Sequence, residues 1–143
     1  MTNADSLASP LSARLRYLPI GIAAAVAHLL MMIPGYREGS TSDWVAEWLG
    51  VLAVVVVLAS VVFVFVVPGG GAVTGVVLGA VALVSVVIFW AGATLPLAAA
   101  AGLVGWRARQ GGERPGLANA ALALAVVSTI ALVAIIIGDA ATY

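Results

Sequence analysis

The sequence predicts an all-α fold, a polytopic membrane bundle of five transmembrane helices, and three observations predict it. Hydrophobic residues make up 64% of the 143 and charged residues 8%, for a mean hydropathy of +1.20. Apolar stretches of about 20 residues recur, the length an α-helix needs to cross hydrocarbon. None of the six arginines falls inside such a stretch, and all but Arg37 fall on one predicted side. A soluble domain of this length would need a polar shell that this composition cannot supply, so lipid is the predicted solvent.

Residues 1–16 read as a flexible cytoplasmic tail, because 1–12 are rich in Ser, Ala, Asn and Asp and carry no periodicity. Arg14 and Arg16 then precede an apolar run over 18–33 in the order of a secretory signal. Pro34-Gly35-Tyr36-Arg37 stands where a small-x-small cleavage site would be needed, so the run reads as a retained helix. The second stretch, 44–67, opens with Asp43 as a predicted N-cap and Glu47 in the first turn, where the helix dipole favours an anion. Pro68-Gly69-Gly70-Gly71 predicts a tight turn, since glycine tolerates positive φ, and with it a close antiparallel hairpin of the second and third spans.

The third stretch, 72–106, would form a rod of roughly 50 Å against a hydrocarbon core of ~30 Å. Ala91-Gly92-Ala93-Thr94-Leu95-Pro96 offers the break: a flexible glycine, a threonine N-cap and a proline in the first turn of a new helix. Divided there, 72–90 spans about 28 Å and 95–109 about 22 Å, the second being long enough if its arginines reach the headgroups. The predicted spans are thus 17–34, 44–67, 72–91, 95–109 and 117–138, in one transmembrane domain over 17–143. The alternative is four spans with a long, Pro-kinked third helix.

Charge favours five, because cytoplasmic loops near spans collect arginine. With Arg14 and Arg16 inside, five spans place Arg107, Arg109 and Arg114 inside as well, whereas four would place them outside. Five spans also put the Arg37/Glu38/Asp43/Glu47 loop and Asp139 outside. Tyr36, Trp44, Trp48 and Trp90 then mark the outer interface, and Tyr17 and Trp106 the inner one. The predicted topology is N-terminus cytoplasmic and C-terminus outside. The absence of Lys and the abundance of Ala, Val and Gly suggest a high-GC bacterial genome, hence a bacterial plasma membrane.

A formal charge of zero offers no basic field for nucleic acid. The lack of Cys removes disulfides, thiolate nucleophiles, Cys-ligated zinc and iron-sulfur clusters. Neither a nucleophile elbow nor a paired-carboxylate set is present, and the Pro68 turn lacks the Lys and Ser/Thr of a phosphate loop. The chain is therefore expected to be no enzyme and to need no cofactor.

His28 is the one ionisable side chain well inside a predicted span, which makes it a functional candidate by default. Its structural alternative is a neutral imidazole bonded to a neighbouring helix. Met31 and Met32, at i+3 and i+4, would add soft ligands for Cu(I) or a haem axial pair, but nothing else in the sequence completes such a site. Glu47 is the acid closest to a span interior and reads as a helix N-terminal carboxylate. Ser60, Thr74, Ser85, Asn119, Ser128 and Thr129 are intramembrane polar groups that bond back to their own helix or across to a neighbour.

Gly71, Gly75 and Gly79 recur every four residues, a small-xxx-small face that lets helix backbones approach in lipid. The stripe meets another span of the same copy or a second copy. Ala121, Ala125 and Thr129 form a weaker stripe on the last span, with Ala134 and Gly138 beyond.

Gly92-Ala-Thr-Leu-Pro96, Gly105-Trp-Arg-Ala-Arg109 and Gly116-Leu-Ala-Asn-Ala-Ala-Leu-Ala-Leu124 resemble, across about 92–138, a helical hairpin found in small bacterial membrane proteins of unknown function. That hairpin has a helix ending in Gly-x-x-Ala-Arg, a basic Gly-rich turn and a second helix opening with Gly-Leu-Ala. This chain carries Ala where the second helix is usually glycine-rich. The resemblance implies a hairpin with an inner basic turn and no activity.

The expected function is that of a non-enzymatic accessory or scaffold subunit acting through helix packing. Its partners would be the lipid bilayer and either a second copy or another membrane protein. The alternatives are a multi-copy transport component and a His-ligated metal or haem subunit.

Overall fold

A computed structural model describes residues 10–32 and 41–141. The described residues contain helices and turns and no strand. Helix α1 (Pro10–Leu15) begins on a proline, whose missing N–H costs nothing at that position, and turns at Arg16 and Tyr17 into α2 (Leu18–Met32). Next come α3 (Thr41–Val61), extended by one π turn over Val62–Val66, and α4 (Ala72–Ser85), followed over Val86–Ala91 by 3₁₀ turns that a kink at Ile88 (φ −112°, ψ 47°) divides. The last two are α5 (Thr94–Gln110) and α6 (Pro115–Ala140). Three segments are long and apolar enough to cross a membrane: Ser12–Met31, Val45–Val66 and Pro115–Asp139, with mean hydropathies of 1.2, 3.2 and 2.8. Ala72–Ile88 is a shorter apolar helix.

Several local expectations need correction. Pro10–Leu15 is helical, so the tail expected over 1–16 gives way to structure from Pro10 onward, and residues 1–9 lie outside the described residues. Helix α3 includes Thr41 and Ser42, which puts Asp43 third in the helix as described and not at its N-cap. Tyr36, Arg37 and Glu38, and the side chains of Asp43, Trp44 and Trp90, lie outside the described residues.

The 72–106 stretch is two antiparallel helices joined at Gly92, whose φ of +71° ends the 3₁₀ segment in a conformation that only glycine takes easily. Thr94 does not cap α5. The N-cap is Ala93, without a side-chain bond, while the Thr94 hydroxyl is buried against Ser85.

The close hairpin of the second and third spans is also absent. Beyond the Pro68 turn, α3 and α4 share almost no contact. Two glycine contacts explain why. On α2, a Cβ at Gly21 would lie 2.5 Å from the Phe63 ring, so this glycine seats α3 on α2, where Ala25 packs with Val55 and Ala59. On α4, the glycine face turns the other way, toward α5 and α6, and α4, α5 and α6 pack as a mutual trio. Helix α2 lies against both α5 and α3 and joins the two halves.

The core centres on α5, where Leu97, Ala98, Ala100, Ala101 and Val104 are buried among Phe63, Val67, Leu78, Ala82 and Ala125. The outer faces of the surrounding helices are aliphatic instead of polar. Val84 and Val87 are 73% and 75% exposed, and Val54, Phe65 and Ile130 are exposed in the same way.

Candidate functional site

Three constellations hold the polar and small residues singled out by the sequence, and they occupy the middle and the two ends of the bundle. The middle is the glycine contact. A Cβ at Gly75 would lie 2.9 Å from the Ala121 Cβ and 3.3 Å from the Gly105 nitrogen, and one at Gly79 would lie 2.6 Å from the Leu124 Cβ. The two Cβ–Cβ distances are closer than carbon atoms pack, so the three backbones meet only because these positions lack side chains. Gly105 reciprocates from α5, 2.9 Å from Ala121 and 3.0 Å from the Ala118 carbonyl by the same measure. Across the contact the Ser128 hydroxyl reaches the Gly79 carbonyl at 3.4 Å while bonding its own Leu124 carbonyl at 2.7 Å. Gly71 does something different: it faces the Glu113 carboxylate, which accepts the Ala72 N–H at 3.2 Å and so caps α4.

The second constellation lies where α4 gives way to α5. His28 is fully buried, and its Nδ1 accepts the Leu95 N–H at 3.3 Å. The first amides of a helix have no partner within it, so the imidazole on α2 caps α5 from outside. An accepting Nδ1 requires the neutral tautomer with its proton on Nε2. One residue away, the Thr94 and Ser85 hydroxyls lie 3.0 Å apart, and Ser85 also donates to the Ala82 carbonyl at 2.7 Å. Met31 is partly buried on α2, and the Met32 side chain lies outside the described residues. Among the described residues no three of His, Asp and Glu converge in a set suited to a metal ion.

The third constellation gathers the arginines of the described residues at the opposite end. Arg107, near the end of α5, donates to the Val67 carbonyl at 2.8 Å and to the Pro68 carbonyl at 3.4 Å, closing the end of the α3 rod. Its guanidinium also lies 5.3 Å from the centre of the Tyr17 ring. Arg14, Arg16, Arg109 and Arg114 are exposed. Glu47 is exposed near the start of α3.

Of the remaining polar groups, Ser60 and Thr129 bond back to the carbonyls of Val56 and Ala125 in their own helices. Sequence reasoning missed Gly21, Glu113 and the reach of Arg107. Gly21 is a single small residue in an aliphatic run, and only its partner Phe63 gives it meaning. Glu113 carried a signal, being the one acid in a turn of arginines. No protein-family model, curated protein or solved structure matches the chain.

Proposed function

We propose that this chain is a bacterial plasma-membrane protein with five membrane-spanning helices, N-terminus cytoplasmic and C-terminus outside, that acts as a non-enzymatic accessory or scaffold subunit through helix packing. The observation that carries this reading is the alternating direction of α2, α3, α4, α5 and α6. Tyr17 meets Arg107 and His28 meets Leu95, so α2 and α5 run oppositely. Gly75 meets Gly105 and Ser85 meets Thr94, so α4 and α5 do too. Gly21 meets Phe63 while Ala25 packs with Val55 and Ala59, so α3 reverses α2, and Gly102 and Gly105 meet Ala125 and Ala121, so α6 reverses α5. Each of α3 to α6 therefore reverses the helix before it, and Arg16, Arg107, Arg109 and Arg114 come to one end, as a cytoplasmic face requires. Helix α5 is short and less apolar than its neighbours, but its companions shield it, so it needs less hydrophobicity of its own to cross.

The scaffold role is supported by where the bundle's close-packing features sit: the glycines and buried hydroxyls serve helix contacts, and the exposed surface is apolar. Purification in mild detergent tests it. A membrane protein should co-purify in fixed proportion, or a defined homo-oligomer should elute, without chromophore or metal. A stoichiometric haem band or bound copper lost in His28→Gln would replace this reading with the ligand one.

Topology has a separate test. A periplasmic reporter fused after Tyr143 should be active and one fused after Gln110 inactive, whereas a four-span chain predicts the reverse at both sites.

A further inference from the structure

Tyr17, at the turn between α1 and α2, carries two cations on one ring. The Arg16 guanidinium carbon lies 4.5 Å from the ring centre and that of Arg107 lies 5.3 Å from it, and Arg16 also donates from Nη2 to the Tyr17 hydroxyl. The two like charges are thus no farther apart than these distances combined. Among the described residues no carboxylate pairs with either, and Glu113, the acid of the neighbouring turn, accepts the Ala72 N–H. Stacking on an aromatic face orients a guanidinium while leaving N–H donors at its edge, the fork that matches phosphate oxygens. Arg107 is held further by the Val67 and Pro68 carbonyls, so part of the site is fixed before any ligand arrives.

Exposed apolar side chains flank the two cations along the chain. Leu15 and Trp106, adjacent in sequence to the two arginines, are 41% and 53% exposed, and Phe65, on the π turn against which α1 packs, is 65% exposed. The geometry points to a binding site for an anionic phospholipid at Arg16, Tyr17 and Arg107, its phosphate between the guanidinium groups and its acyl chains along Leu15, Phe65 and Trp106. This rests on the membrane reading above. A free phosphate ion would use the same cations and gain nothing from the apolar flank, so lipid is the ligand.

Thermal unfolding of the full chain in a zwitterionic detergent, with native mass spectrometry to count bound lipid, tests the site. Added phosphatidylglycerol should raise the melting temperature and remain bound, while phosphatidylcholine and inorganic phosphate at the same concentration should not. Arg16→Gln should weaken apparent phosphatidylglycerol affinity roughly tenfold, the effect of losing a charge-assisted hydrogen bond. Arg16→Lys should lose part of it, and Arg109→Gln, off the ring, less than about twofold. Arg16 is exposed, so its variants should melt like the native chain without lipid. Equal stabilisation by phosphatidylcholine or inorganic phosphate, or an equal loss in Arg109→Gln, overturns the site. Micelles have no sides, so a reporter placing Gln110 outside would overturn the topology and leave this result standing.

Discussion

At the residue scale, His28 shows what the sequence makes legible and what it does not. Its position inside an apolar run marks it as a group that must find partners, but one of them is a backbone amide 67 residues away, and no side-chain pattern announces a backbone donor. The same limit applies to Thr94. Threonine before a proline in the first turn reads as a cap, yet tertiary packing buries its hydroxyl against Ser85, where an unpaired hydroxyl would be costly. If His28 acts as a cap on α5, His28→Gln, which keeps an acceptor, should melt close to the native chain. His28→Leu should lose on the order of 1 kcal/mol by leaving the Leu95 amide unpaired. Thermal unfolding in detergent would measure both, and equal stability of the two variants would remove the capping role.

At the element scale, the helices and the break between α4 and α5 are legible because glycine and proline punctuate long apolar runs, and run length limits where helices stop. Pairing is less legible. The Pro68 turn promises a hairpin of α3 and α4, but a turn sets only which ends are near, while the faces that pack are chosen by the glycines. Gly21 takes α3 to α2 through Phe63, and Gly75 and Gly79 take α4 to α5 and α6. Substituting Gly79→Ala should therefore cost about 1–3 kcal/mol, because the new methyl must displace Leu124, and Gly75→Ala should cost less, with its contact slightly longer. Val77→Ile, on an exposed position of the same helix, should change the melting temperature little. Native-like melting of Gly79→Ala and Gly79→Ile would mean that the glycines reflect composition alone.

At the scale of the whole molecule, the apolar exterior follows from composition and the gathering of arginines at one end follows from their placement between apolar runs, so both are legible. The central position of α5 is not, since its moderate hydrophobicity is what a buried, Ala-rich helix and a surface segment have in common. The account turns on whether α5 makes a full crossing. Because the chain has no cysteine, a single engineered one reports without background. Gly111 has room for it, with a Cβ 3.5 Å from the nearest carbonyl, and Ala141, exposed just beyond α6, serves as the opposite end. In intact cells, a membrane-impermeant maleimide should label Ala141→Cys and should reach Gly111→Cys only after the cells are opened. Labelling of Gly111→Cys from outside, with Ala141→Cys protected, would contradict the five-span account.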